Sequence, residues 1–152
     1  MPVDIVIEAE DYSSSTAPKP PFAWTLETDV QGYSAAGFMH LGPSDGNACT
    51  TPSEFDTCAA SLVYDVTIPA DATFYFHART FATSSSNDSL WYGVDGTVTM
   101  PGVGCAQDAT WHWRSGGSHV LPAGAHTITI WQRESGVRLD QIALTLAANP
   151  PS

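Results

Sequence analysis

Basic residues are scarce in this sequence of 152 residues, which holds five Lys and Arg against 16 Asp and Glu. Its formal net charge is −11, yet only 14% of the residues are charged, below the roughly 25% of an average soluble domain. The imbalance therefore comes from missing cations rather than from an excess of acid. Because nucleic acid and anionic membrane surfaces are bound through Lys and Arg, we expect neither as a partner.

Long apolar runs and a leader segment are lacking too. No stretch of about 18 apolar residues is present, and the start has no basic-then-apolar segment of the kind that directs export. The length suits one domain, expected to be monomeric, over residues 1–148, and the proline-containing end at 149–152 suits the start of a linker. We expect this module to belong to a larger secreted protein whose export signal lies elsewhere.

Only three cysteines are present, Cys49, Cys58 and Cys105. No pair has the C-x2-4-C spacing that is typical of zinc sites. A disulfide between Cys49 and Cys58 would close a short polar loop and would suit a secreted protein, with free thiols as an equal alternative. We expect Cys105 to be a buried small residue rather than a reactive thiol.

Helical periodicity is almost absent, and 12 glycines and 11 prolines leave little room for long helices. Alternating segments rich in β-branched and aromatic residues predict strands instead. These segments are residues 3–10, 61–68, 73–82, 89–95, 125–133 and 139–146. Long polar loops separate some of them, at 11–21, 42–59 and 83–89. The pattern predicts an all-β fold, a jelly-roll-like β-sandwich of two antiparallel sheets with long loops.

Several short motifs follow one another along the chain. They are Glu8-Ala9-Glu10-Asp11, Tyr64-Asp65-Val66, Ala78-Arg79, Leu90-Trp91-Tyr92-Gly93-Val94-Asp95-Gly96, Trp111-His112-Trp113, Leu121-Pro122-Ala123-Gly124-Ala125-His126-Thr127-Ile128 and Leu139-Asp140-Gln141-Ile142-Ala143-Leu144-Thr145. In this order the set resembles the β-sandwich carbohydrate-binding modules of families 6 and 35, which are appended to secreted polysaccharide-degrading enzymes. The resemblance covers residues 7–146 and departs from the family pattern in the insertion at 42–59.

Two acidic residues, Glu8 and Glu10, stand two positions apart on the first predicted strand, so their side chains leave the same face. Carboxylates this close repel each other unless a positive charge lies between them, and no Lys or Arg is near in sequence. Calcium would meet that need, and a solvated acidic strand end is the alternative. The resemblance implies a structural calcium that joins the first and last strands through Glu8, Glu10 and Asp140, with carbonyls from an adjoining loop.

Exposed aromatic rings are candidate platforms for the apolar faces of sugar rings, and the candidates are Trp24, Tyr33, Trp91, Tyr92, Trp111, Trp113 and Trp131. Tyr33 follows a glycine in a loop, and Trp111 and Trp113 share one face if their segment is extended. The resemblance implies that Tyr33 and Trp111 stack on sugar. Core packing is the alternative for each of these rings.

Two polar loops are further candidates for contacts with sugar hydroxyls. Asn87 and Asp88 precede Trp91, and Arg133 and Glu134 stand in the turn before the last strand. The resemblance implies that this last turn offers a polar residue to the ligand. The alternatives are Asx-turn chemistry in the first loop, a weak surface ion pair in the second, or a second calcium held by Asp88 and Glu134.

Motifs of catalysis are absent, since the histidines lack HExxH spacing and no G-x-S-x-G elbow occurs. Together with this absence, the resemblance implies a lectin-like, non-catalytic module that binds a polysaccharide and holds an attached enzyme near its substrate. Its acidic surface favours a neutral polysaccharide. A small glycan-active enzyme and a cell-surface sandwich that binds protein are the alternatives. The sugar, its binding at chain ends or internally, and the attached enzyme stay open.

Overall fold

The computed structural model describes residues 3–44 and 48–151, which form twelve strands, a short 3-10 helix at Pro52–Glu54 and a short α-helix, α1, at Phe55–Cys58. The strands are β1 (Ile5–Glu8), β2 (Ser14–Thr16), β3 (Ala23–Glu27), β4 (Phe38–Gly42), β5 (Ser61–Ile68), β6 (Ala72–Phe81), β7 (Ser89–Val94), β8 (Thr97–Val98), β9 (Val103–Gly104), β10 (His112–Leu121), β11 (Gly124–Gln132) and β12 (Arg138–Thr145). No helix in these ranges is long and apolar enough to cross a membrane. Residues 45–47 of the predicted long loop, and residues 1, 2 and 152 of the predicted domain and linker, lie outside the described residues.

The strands form two six-stranded sheets, and every described pairing is antiparallel. The first sheet has the order β10-β6-β12-β4-β3, and β1 also pairs with β12. The second has the order β2-β5-β11-β7-β8, and β9 also pairs with β7. The predicted β-sandwich of two antiparallel sheets is confirmed.

Alternation of apolar and polar residues turns one face of each sheet into a common core. On β6 the side chains of Phe76 and Ala78 are buried, as is that of Tyr92 on β7. The rings of Phe76 and Tyr92 stack between the two sheets, with centroids 3.8 Å apart and an interplanar angle of 8°. A residue that neighbours a core residue along its strand, such as Arg79 beside Ala78, therefore lies on the outer face of its sheet.

The six predicted strands correspond to β1, β5, β6, β7, β11 and β12, with ends that agree to within two residues. The longest strand that the prediction missed is β10, whose middle reads Ser115-Gly116-Gly117-Ser118, a composition typical of turns. Pairing of β10 with β6 is interrupted between Ser115 and Ser118. A Cβ on Gly116 would lie 2.4 Å from Cε1 of Tyr92, so glycine serves close packing here rather than a turn.

The first strand is shorter than predicted, and this corrects the placement of its second glutamate. β1 ends at Glu8, and Glu10 lies in the turn that follows. The Ala9 N–H donates to the Asp140 carbonyl at 2.8 Å, and the Asp11 N–H donates to the Glu8 carbonyl at 3.0 Å. Glu8 thus lies opposite Gln141 in the pairing of β1 with β12, while Glu10 is placed by the turn rather than by strand alternation.

A disulfide joins Cys49 to Cys58, with Cα atoms 5.7 Å apart, as the sequence predicted. The Cys49 carbonyl accepts a hydrogen bond of 2.7 Å from the indole N–H of Trp91, which fastens the loop to the second sheet. Cys105 is a free, buried thiol, as expected, and burial raises its pKa to about 11.

The residues after β12 pack back onto the first sheet. The Thr145 hydroxyl donates to the Ala147 carbonyl at 2.6 Å and lies 2.8 Å from Nε2 of the buried His77. Pro151 lines a cavity on the outer face of this sheet. The predicted boundary between module and linker at residue 148 stays a prediction.

Candidate functional site

A cavity of about 530 Å³ opens on the outer face of the first sheet, beside the loop that precedes β4. Three side chains form a row across its floor. Trp113 on β10 is opposite Arg79 on β6, and Arg79 is opposite Gln141 on β12. This register turns all three toward the same face. Around the row lie Trp111, Gly32, Ser34 and Pro151.

Trp111 is fixed at the rim by the loop that precedes β4. Its indole N–H donates to the Gln31 carbonyl at 2.9 Å, and its ring centroid lies 5.4 Å from that of Phe38 and 5.3 Å from that of Phe81. Gly32 has a φ of 105°, and a Cβ there would lie 2.7 Å from Cδ1 of Trp111. Glycine therefore allows both the backbone conformation and the close approach of the loop to the ring.

Tyr33, the other predicted platform, lies on the same loop. Its ring centroid is 6.1 Å from that of Phe38, the buried residue that also contacts Trp111. The structure thus brings Tyr33 and Trp111 to the same end of the first sheet. Tyr33 is half-buried and stands beside the cavity rather than in its described lining.

Arg79 links the cavity to the last strand, a role that sequence reasoning missed. Its Nη1 donates to Oδ2 of Asp140 at 2.5 Å and to the Gly32 carbonyl at 2.8 Å. Its guanidinium carbon lies 5.5 Å from the Trp111 ring centroid. One sequence signal could have identified Arg79. It follows the inward-facing Ala78 on a strand of alternating residues, so its side chain was expected on the outer face.

Gln141 is the second lining residue that sequence reasoning missed. Its Nε2 donates to Oε2 of Glu8 at 2.8 Å. The pairing of β12 with β6 is irregular between Leu139 and Gln141. A local irregularity of this kind cannot be read from alternation, and it lets Asp140 and Gln141 contact groups on the same side of the sheet.

The three predicted calcium ligands all face the loop around Ser34. The Ser34 N–H donates to both carboxylate oxygens of Asp140 at 3.1 Å, and the Ser34 hydroxyl donates to Oε1 of Glu8. The Ala36 N–H donates to Oε2 of Glu10 at 3.0 Å, while Oε1 of Glu10 is buried without a hydrogen-bond partner. The end of β1, the turn after it and β12 therefore meet this loop through three carboxylates.

Asp140 is the most enclosed of the three, since none of its side chain is exposed. Burial raises the pKa of its carboxyl, and the Ser34 N–H and the Arg79 guanidinium oppose that rise. Arg79 thus supplies the positive charge that the sequence did not place near the acidic residues.

The residues suit calcium in chemistry but are not gathered around one point. Over residues 3–44 and 48–151, no three His, Cys, Asp or Glu side chains converge as a metal site. The carboxylates of Glu8, Glu10 and Asp140 are the hard oxygen ligands that calcium takes. The buried, unpartnered Oε1 of Glu10 is the specific feature of this structure that a cation would satisfy.

A second group of predicted residues forms a separate cluster around the turn before β12. The Ser89 hydroxyl donates to Oε1 of Glu134 at 2.5 Å and accepts from Nη1 of Arg133 at 2.5 Å. The Asp88 N–H also donates to Oε1 of Glu134, at 3.2 Å. Arg133 and Glu134 themselves are 4.0 Å apart, the distance of a weak ion pair.

Trp91 and Asn87 are used inside the fold. Only 3% of Trp91 is exposed, and the Arg133 guanidinium lies 5.4 Å above its ring, so this prediction is corrected: Trp91 offers no ring face to a ligand. The Asn87 side-chain carbonyl accepts from the N–H groups of Thr83 and Ser84 at 3.0 Å. Its amide thus orders its own loop, as the Asx-turn alternative describes.

A second cavity, of about 440 Å³, lies beside the disulfide loop. It is lined by the stacked rings of Phe55 and Trp131, whose centroids are 4.8 Å apart, with Asp56 and Ser61 at its polar side. Of the candidate aromatic rings, Trp131 is the one in the described lining of this cavity.

Neither a family model nor a curated protein matches the chain. Solved structures do match. A β-(1,4)-mannanase of Podospora anserina, a GH26-CBM35 protein, superposes with a TM-score of 0.71 at 18% identity, over 99% of this chain and 29% of that one. A family 35 carbohydrate-binding module from Clostridium thermocellum superposes with a TM-score of 0.69 at 15% identity, over 95% of this chain and 98% of that one.

A solved structure of a family 6 carbohydrate-binding module also matches the fold of this chain. The C-terminal module of a marine laminarinase from Zobellia galactanivorans superposes with a TM-score of 0.61 at 16% identity, over 93% of this chain and 98% of that one. The chain thus has the length and fold of isolated family 35 and family 6 modules, and it spans 29% of the mannanase. The fold implied by the sequence motifs is confirmed.

Proposed function

We propose that this chain is a non-catalytic carbohydrate-binding module of a secreted protein. The observation that carries the proposal is the cavity on the first sheet, where two half-buried tryptophans lie beside a guanidinium and a carboxamide. Sugar rings have apolar C–H faces edged by hydroxyls, so their binding needs aromatic platforms together with polar side chains. Trp111 and Trp113 supply the platforms, Arg79 and Gln141 supply the hydrogen bonds, and Tyr33 extends the site.

Binding without cleavage is the function that this lining supports. A glycosidase needs two carboxylic acids on either side of the scissile bond. The described lining residues of the cavity include no Asp or Glu. The carboxylates of Glu8 and Asp140 contact lining residues, namely Gln141, Ser34 and Arg79.

The ligand we propose is a neutral polysaccharide. The net charge of −11 repels an acidic chain, while a neutral chain meets no such barrier. An attached catalytic domain would gain from the module a higher effective concentration near its substrate.

We also propose a structural calcium bound by Glu8, Glu10 and Asp140. It would join β1 to β12 and satisfy the orphaned Oε1 of Glu10. Because a ligand that binds only the folded state stabilises it, an excess of chelator should lower the melting temperature. An unchanged melting curve, measured by circular dichroism after chelation, would remove the calcium.

Affinity electrophoresis on a panel of soluble polysaccharides tests the proposed function, with release of reducing sugar measured in the same samples. We expect retardation without release. The Trp111→Ala change should weaken binding about 10- to 150-fold, because it removes a ring whose burial is worth about 1.5–3 kcal/mol. The matched control is Trp131→Ala, a tryptophan of the second cavity, which should change affinity by less than about twofold.

The other outcomes are equally informative. Release of sugar would indicate an enzyme, and neither retardation nor release on a broad glycan panel would favour the adhesion alternative. A loss of binding in Trp131→Ala alone would move the site to the second cavity. Direct ligand contacts by Asn87, Asp88, Arg133 and Glu134 stay a prediction, and Arg133→Ala in the same gels tests it.

A further inference from the structure

The buried ion pair between Arg79 and Asp140 joins the carboxylate cluster to the cavity. We infer that Arg79 is an internal counter-ion that competes with calcium for Asp140, so that calcium binding frees Arg79 to bind the glycan. The inference rests on the proposed function for its glycan and its calcium. It adds a direct link between the two ligands.

The first observation behind this inference is that the buried carboxylate of Asp140 needs a positive partner. Asp140 has no exposed side-chain surface, and a buried carboxylate without a positive partner is strongly unfavourable. Within the described residues, Arg79 is the one cationic group that contacts Asp140. The guanidinium therefore supplies the positive charge that this buried carboxylate needs.

Competition for the same oxygens is the second step. Nη1 of Arg79 contacts Oδ2 of Asp140 and the backbone carbonyl of Gly32. A carboxylate oxygen and a loop carbonyl are the ligand types that calcium takes. One positive charge at these oxygens disfavours a second, because like charges a few ångströms apart repel.

The link to the glycan is the third step. Arg79 lines the cavity and lies 5.5 Å from the centroid of Trp111, the platform at its rim. When calcium takes Asp140, the Nη1 hydrogens of Arg79 are released for sugar hydroxyls at that platform. By thermodynamic linkage, each ligand then raises the affinity for the other by the same factor.

Calorimetric titration with calcium tests the competition. The variant is Arg79→Gln, and the matched control is Arg114→Gln, which removes the same charge from an exposed arginine on β10. We expect Arg79→Gln to bind calcium at least about fivefold more tightly than the wild type, and the control to bind like the wild type. Equal or weaker calcium binding by Arg79→Gln would overturn the inference, as would a wild type that binds no calcium.

Stability provides a second readout that does not depend on affinity measurement. Without its counter-ion, Arg79→Gln should melt at a lower temperature than the wild type in chelator, and calcium should raise its melting temperature by more. Should this variant not fold without calcium, Arg79→Lys retains the charge and should bind calcium with wild-type affinity. Tight binding by Arg79→Lys matching that of Arg79→Gln would contradict competition by charge.

Affinity electrophoresis with and without calcium tests the link to the glycan. We expect calcium to raise the affinity of the wild type about fivefold or more, and to leave that of Arg79→Gln unchanged. A wild type that binds glycan equally well in chelator would overturn the link while the proposed function stands. Calcium competition without any glycan binding would contradict the proposed function and the link alike, but not the counter-ion role of Arg79.

Discussion

Two regions of this molecule combine tryptophan, arginine and carboxylate, and they use them in opposite ways. At the first-sheet cavity, Trp111 and Trp113 are half-buried, and Asp140 holds Arg79 beside an open space. At the turn before β12, Trp91 is buried beneath Arg133, while Ser89 and Glu134 bond to one another. The contrast teaches that residue type suggests a binding site, but exposure of the ring decides whether one exists.

The largest expected difference between the two regions is the loss of stability when the buried ring of Trp91 is removed. Trp91→Ala removes a ring enclosed by the fold, so we expect it to lower the free energy of unfolding by about 3–5 kcal/mol. Trp113→Ala, the control from the open cavity, should cost clearly less stability. Denaturant unfolding followed by circular dichroism measures both. Equal losses would show that the two rings are equally structural.

The sequence anticipated much of the fold because its signal is local. Strand β5, whose buried and exposed residues alternate, was predicted with the bounds that it has in the structure. The disulfide between Cys49 and Cys58 is one of the two alternatives that the sequence left open. β10 escaped because its glycines serve packing against Tyr92, a contact between sheets that no local pattern contains.

The site was anticipated only in part. Trp111, Trp113 and Tyr33 lie at one end of the first sheet, and their contact with a ligand stays a prediction. Arg79 and Gln141 were missed, because their role depends on which strands lie side by side and on an irregularity in β12. Trp91 was placed at the ligand because sequence alone does not tell a buried ring from an exposed one.

Removal of the disulfide should have a smaller effect on stability than removal of the Trp91 ring. It closes a loop over a sequence separation of nine residues and lies on the side of the buried Trp91. Replacing Cys49 and Cys58 by serine should lower the free energy of unfolding by about 2–3 kcal/mol, since a loop of this length is no longer constrained in the unfolded chain.

Glycan affinity is the complementary measurement on that double variant. It should stay at the wild-type value, because the first-sheet cavity contains no residue of the disulfide loop. A large fall in affinity would connect the two regions and undo the distinction between them.

The smallest expected effect is a pH dependence at Glu134. Burial raises the pKa of its carboxyl above 4.5, so the folded state holds this proton more tightly than the unfolded state. Stability should therefore fall as pH rises from about 4.5 through the folded value, and level off above it. In Glu134→Gln this component of the pH profile should vanish, as urea unfolding between pH 4 and pH 8 would reveal. An unchanged profile would assign the dependence to other groups.

The central claim is that a glycan binds at the first-sheet cavity, and indole N–H resonances test it most directly. The chain has five tryptophans, two in the cavity and three elsewhere, so a two-dimensional ¹H–¹⁵N spectrum reports on each region at once. During titration with a soluble polysaccharide that retards the protein, the account predicts that the Trp111 and Trp113 signals shift while those of Trp91 and Trp131 stay in place. Shifts confined to Trp91 or Trp131 would contradict it.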